Sequence, residues 1–391
     1  MRRVAVALAV LVPTVGGSAA AQQQLLRAYG LNVAFAADAT PLTDALLSDV
    51  QRFRVMSRPS SGPWRLDIAY EHVLSASTTT GGTLVAGLVP AVVGSDWLPL
   101  QGTLWETDHL TWRHRVDRLG VVFQHDAVEV TIGRQPISWA TTLFLTPADP
   151  FAPFDPSDPF REYRAGIDAA RIRVFPGPFS EIEAVARVVD VDDDPAITAW
   201  ARGRTSTGRW EVSGWAGVLH EEPAGAIGVT VTVAGAALRG EGVLPRTGDE
   251  TVLRGTVGVD RSFDVGSRTL YVVVEYQRDG FGAANAAELP ATLLSAAARR
   301  GELQVFGRDE VVLQGSLELH PLVSADALVI WNLNDASALL GPGVTYSVTG
   351  SMSARAGVFI GVGPGVQPTG LLGSEYGLVP TSGYVSLALF L

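Results

Sequence analysis

Arginines two residues apart recur along this chain: Arg52 and Arg54, Arg113 and Arg115, Arg171 and Arg173, Arg202 and Arg204. In an extended strand the side chains at i and i+2 leave the same face, so each pair presents two permanent cations side by side. Glu181 and Glu183 repeat the spacing with the opposite charge, and Glu129 lies just upstream of Arg134. Such a set makes and breaks no bonds by itself; it binds and sorts ions. It has two readings. One is a set of cross-strand salt bridges that stiffen a polar wall. The other is an arginine ladder that selects solutes by charge, as a channel constriction does.

Other chemistry finds less support. The six histidines, His72, His109, His114, His125, His220 and His320, form no recognisable motif with a serine. No catalytic residue is therefore expected, and the chain reads as a non-enzyme. The run Asp190 to Asp194 could offer oxygens to Ca²⁺, but it lacks the spacing of a calcium loop and reads as a solvated acidic tip. Gly361 to Gly365 opens no helix and so is no phosphate cradle. No metal and no cofactor are expected. The absence of cysteine excludes disulfides, thiolate metal sites and a cysteine nucleophile. A net charge of −11 argues against nucleic acid as a partner.

The elements that must carry the arginines are strands. Met1–Ala21 has the layout of a secretory signal peptide, a short basic start, an apolar run and a small-residue end. From 22 to 391 the chain is expected to form a single domain. It is 47% hydrophobic, yet no later run is long enough for a membrane helix. Its apolar residues are instead spread in alternation: Trp64, Leu66, Ile68 and Tyr70 against Arg65, Asp67 and Glu71; Leu253, Val257 and Val259 against Arg254, Thr256 and Asp260. A half-buried soluble sheet and a lipid-facing barrel wall both alternate this way.

Loop lengths decide between them. Eighteen candidate strands can be drawn, with sixteen as the alternative. Long connections, about 75–106, 136–165, 279–307 and 362–380, all follow odd-numbered strands, whereas turns such as Pro176–Pro178, Ser206–Thr207 and Gly350–Ser351 follow even ones. A transmembrane antiparallel β-barrel predicts that parity, with short periplasmic turns and long extracellular loops. At the end, Val385, Leu387, Leu389 and Leu391 alternate with Tyr384, Ser386, Ala388 and Phe390. This resembles the closing strand of outer-membrane barrels, whose terminal pattern the insertion machinery reads, with leucine where those strands end in an aromatic.

The segment Pro136–Ala165 is dense in proline, which fixes φ and removes donors, and it carries Phe144, Phe151, Phe154 and Phe160. It is too stiff and apolar to stand free in water. Either it folds inward, as the third loop of general porins does, placing Asp149, Asp155 and Asp158 opposite the lumen arginines, or it caps the outer rim.

A family resemblance enters at the same place. Gly133, Arg134, Gln135, Ile137 and Trp139, followed by Pro147, Asp149 and Phe151, resemble a motif of uncharacterised Gram-negative outer-membrane barrels, G-R-Q-x-I-x-W-G and then N-P-x-D-x-F. Ala140 and Thr146 depart from it. The G-R-Q part is also similar to the eighteen-stranded alginate-export type. The resemblance implies a porin-like fold and no particular substrate. The expectation is an outer-membrane channel for small polar or charged solutes, with membrane lipid and the insertion machinery as its other partners. An export conduit, a component of a larger assembly and a plugged structural or adhesion barrel are the alternatives.

Overall fold

A computed structural model describes residues 26–79, 97–151, 160, 162–191, 194–247, 250–368 and 370–391. The expected signal peptide, together with Asp155 and Asp158, lies outside the described residues.

Eighteen strands run up and down in one sheet. The first five are β1 (Leu26–Ala37), β2 (Leu46–Ser57), β3 (Trp64–Ser77), β4 (Leu110–His125) and β5 (Val128–Gln135). A meander follows: β6 (Ile167–Gly177), β7 (Ser180–Val191), β8 (Asp194–Thr207), β9 (Trp210–Leu219) and β10 (Glu222–Val233). It continues through β11 (Ala236–Thr247), β12 (Arg254–Val265) and β13 (Arg268–Asp279). The last five are β14 (Asp309–His320), β15 (Val323–Asn332), β16 (Ser337–Thr349), β17 (Met352–Val362) and β18 (Ser382–Phe390). Neighbours pair antiparallel, and β18 returns to β1 from Tyr29↔Phe390 to Ala37↔Ser382, closing the barrel. Closure matters because lipid offers no hydrogen bond to an open edge. Three two- to six-residue strands, Ser60–Ser61, Gln101–Glu106 and Glu250–Thr251, are additions within connections.

The alternation sorts side chains as a membrane wall requires. Ile132, Ile172, Ile182, Ile197, Ile227 and Val257 are exposed on the outer face, which suits lipid and not water. Trp64, Phe179, Trp210 and Phe263 ring the periplasmic rim, and Trp105, Trp112 and Trp331 lie toward the other, as interfacial aromatics do. Among the described residues no helix is long and apolar enough to cross a membrane; the strands make the crossing.

Connections after even strands span two to six residues, and the long ones follow β3, β5, β13 and β17. Two-residue hairpins at His220–Glu221 and Ala234–Gly235 have positive φ at both positions, the type I′ geometry that matches strand twist. Two expected turns move. Pro176 and Gly177 end β6, so the reversal falls at Pro178–Phe179. Ser206 and Thr207 belong to β8, and the chain reverses at Gly208, whose φ of +57° favours glycine.

Candidate functional site: the barrel lumen and its inner loop

Inward-facing charges from β2 to β9 form two groups. In the first, Arg54 reaches Asp117 at 2.5 Å and Glu71 at 3.4 Å, and Arg115 reaches Glu71 at 3.1 Å. Arg52 lies 4.0 Å from Glu71. Arg113 has no ion pair among the described residues. In the second, Arg171 bonds Glu183 at 2.6 Å, while Arg173 bonds Glu129 and approaches Glu181 at 3.8 Å. Arg204 stands 3.8 Å from Glu181 and 3.9 Å from Glu211, and Arg202 lies over the Trp139 ring at 5.7 Å. The ladder register sets Glu129 opposite Arg173 and Arg204 opposite Glu181, while Arg171–Glu183 and Arg173–Glu181 are diagonal contacts across β6 and β7.

Sequence reading set Glu71 on the polar face without naming it as a partner of the arginines, and it missed Asp117 and Arg118. A register shift between Ala69 and Tyr70 sets an extra residue on β4, so that Asp117 and Arg118, adjacent in sequence, are both buried. A bulge of this kind interrupts the two-residue period, and nothing in local alternation announces it. The paired imidazoles of His72 and His114 face each other across β3 and β4, with Trp112 donating to His72 at 3.2 Å and Tyr70 bonded to His114 at 3.2 Å.

Arg134 does not join the ladder. Its Nε and Nη2 clamp Asp168 at 2.8 and 2.7 Å, and the same guanidinium donates to the carbonyls of Leu98 and Val116. Asp168 in turn accepts from the Leu98 N–H at 3.0 Å. This buried pair ties residues 97–100 over the upper ends of β5 and β6. Beside it Gly133 adopts φ +115°, and a Cβ there would sit 2.2 Å from the Leu119 carbonyl oxygen. Gln135 donates to the carbonyls of Thr131, Gly133 and Ala169. Gly133, Arg134 and Gln135 therefore end the strand and fasten the wall where the chain leaves it.

From Pro136 the chain crosses the interior. Backbone N–H groups of Thr141–Leu145 bond carboxylates of Glu241 on β11 and Glu275 on β13, six and eight strands round from β5. Ile137, Trp139, Ala148 and Phe151 then pack on Val185, Trp200 and Trp215 of β7–β9. Trp139 meets Phe151 edge-on at 4.9 Å, and Trp215 donates to the Ala148 carbonyl at 2.9 Å. Leu145 joins Val305 and Tyr376, from two other long connections. Phe160 rests on Tyr384 at 4.8 Å, and Tyr163 lies under Arg54 at 4.7 Å.

Asp149 corrects an expectation. It does not face a ladder arginine; it accepts from Ser138 at 2.8 Å and from Arg164 at 2.9 Å, both within the same segment. A carboxylate inside a crowded loop is satisfied most readily by that loop's own donors.

At the outer end of the lumen, Arg254 is bidentate to Asp279 at 2.8–3.0 Å, and Glu302 gathers Arg300 and, at 3.6 Å, His220. His220 sits in the β9–β10 turn, outside the strands. Burial, then the charges of Arg300 and Arg187, push its pKa down to about 4. The imidazole is neutral at pH 7.

The same architecture is found in solved porin structures. The barrel is similar to OccAB1 of Acinetobacter baumannii, with a TM-score of 0.57 and 8% identity over 94% of this chain and 96% of that one. It is similar to a BenF-like porin from Pseudomonas fluorescens Pf-5, with a TM-score of 0.56 and 13% identity over 94% and 98%. Pseudomonas aeruginosa OccK2 (OpdF), solved in complex with glucuronate, gives a TM-score of 0.54 and 11% identity over 94% and 97%. Identities this low are a likeness of fold. No protein-family model matches the chain, and no curated protein matches it. The class is thus a closed, eighteen-stranded, up-and-down β-barrel of the architecture seen in these porin structures.

Proposed function

We propose that this barrel is a porin-like channel that passes small polar or charged solutes across the outer membrane, and that it is no enzyme. The observation that carries the reading is a folded inner segment, 136–151, set beside a lumen wall of arginines from β2 to β9. Such a segment narrows a water-filled barrel without closing it, and guanidinium groups along the remaining wall favour solutes bearing a carboxylate or other anionic group. The glucuronate bound to OccK2 is a solute of that kind. The G-R-Q-x-I-x-W stretch, read with its resemblance to uncharacterised and alginate-export-type barrels, is the device that turns the chain inward. The purified barrel in planar bilayers should give stable conductance steps with a reversal potential that reports anion preference. A barrel that inserts and gives no steps is a plugged one, and that result overturns the proposal.

A further inference from the structure

We infer that Glu241 and Glu275 set the width of this channel by holding residues 141–148 against the β11–β13 wall, apart from the arginine pairs of β2 to β8. The inference rests on the channel reading above and adds the residues that position the constriction.

Irregular backbone inside a barrel carries N–H groups that must find acceptors, and no strand runs beside 141–148 to supply them. Two carboxylates do. Glu241 accepts from Thr141 at 2.7 Å, Thr142 at 3.1 Å and Ala148 at 3.0 Å. Glu275 accepts from Leu143 at 2.6 Å and from Phe144 and Leu145 at 2.9 Å each. Gln304 completes the row, accepting from Thr146 at 2.5 Å and donating to the Phe144 carbonyl at 2.7 Å. Charged acceptors make the stronger hydrogen bonds, so the stretch is pinned along its length and not at one point. The wall is also shaped for it. A Cβ at Gly228 would lie 2.1 Å from Thr141 Oγ1, so only glycine leaves that side chain its place. Both carboxylates are within 1–6% of full burial; their charge is directed at the loop and withheld from passing solute.

The test is the double variant Glu241→Gln with Glu275→Gln, reconstituted in planar bilayers after a gel-mobility check that the barrel is folded. An amide lacks the second accepting oxygen that each glutamate uses. The expected result is about a twofold rise in step size with added open-channel noise. Gly228→Ala keeps both carboxylates and displaces Thr141, and it should enlarge the steps in the same direction even if the double variant does not fold. The chain has no cysteine, so Thr141→Cys with Gly228→Cys can tether the segment. In the double-variant background, oxidation should restore the wild-type step and reduction should abolish that rescue. Unchanged step size and noise in folded double-variant and Gly228→Ala barrels would overturn the inference. Absence of steps from the unaltered protein would instead remove the channel reading itself, and this inference with it.

Discussion

Two halves of the lumen use the same residue type differently. From β2 to β9 the inward carboxylates, Glu71, Glu129, Glu181 and Glu183, each meet arginine. From β11 to β14 the inward glutamates meet neutral donors: Glu241 and Glu275 take backbone N–H groups of the inner segment, and Glu310 takes the Gly307 N–H and the Tyr376 hydroxyl. Arginines of that half pair with aspartates and also hold connections: Arg239 bonds Asp260 and the Thr141 carbonyl, and Arg254 bonds Asp279 and the Glu302 carbonyl. The difference shows that inward charge alone does not define a selectivity wall. In a channel, a carboxylate paired with arginine would contribute to the field a solute meets; a carboxylate beside loop amides is part of the scaffold.

The comparison can be broken most forcefully by removing 146–160 from the connection between β5 and β6. Conductance per step should rise several-fold, and an unchanged step would show that flow is limited elsewhere. Next, Arg134→Ala leaves Asp168 buried and unpaired at the seam under residues 97–100. Losing one partner of a buried pair costs about 3–5 kcal/mol, which urea unfolding of the reconstituted barrel would report; a change below 1 kcal/mol would place the pair in water.

Selectivity sharpens the contrast between the halves. Arg171→Ala with Arg173→Ala should lower the anion-to-cation permeability ratio by about threefold, read as a reversal potential moving toward zero in a salt gradient. Arg254→Ala, on the scaffold half, should move it far less. Equal shifts from both would erase the distinction drawn here.

The smallest effect concerns acid. His220 is held neutral, its pKa depressed to about 4 from an ordinary value of roughly 6.5. The unfolded chain therefore binds the proton first as pH falls, and the stability tied to neutral His220 is complete above the unfolded pKa and lost between there and about 4. Unfolding at pH 7 and pH 4.5 should show a smaller acid-induced loss in His220→Gln than in the unaltered protein. An identical loss in both would separate His220 from the acid response.

Much of the barrel was legible because its signals are local. Ile227, Val229, Val231 and Val233 alternate with small or polar residues at the strand period whatever surrounds them, and the parity of long and short connections follows from antiparallel neighbours, which put every other connection on the same rim. The arginine pairs were placed on one face for the same reason. Asp149 misled because its neighbours in space, Ser138 and Arg164, lie within its own segment, where a loop's folding and not its composition selects the partner. Asp117 and Arg118 were hidden by the register shift at Ala69 and Tyr70. The anchors were hidden by distance: Thr141 and Glu241 are a hundred residues apart, and an inward glutamate in β11 reads like any other lumen carboxylate.

By itself, the sequence determined which face of each strand meets lipid, where the rims lie and that the lumen carries paired charge, since a period of two and a turn residue act over a few ångströms of chain. Only the tertiary structure decided which wall pairs its arginines with glutamates and which receives the inner segment. Closing the sheet brings β5 opposite β11 and β13, and that approach depends on strand number and register around the whole barrel, not on any stretch of residues within it.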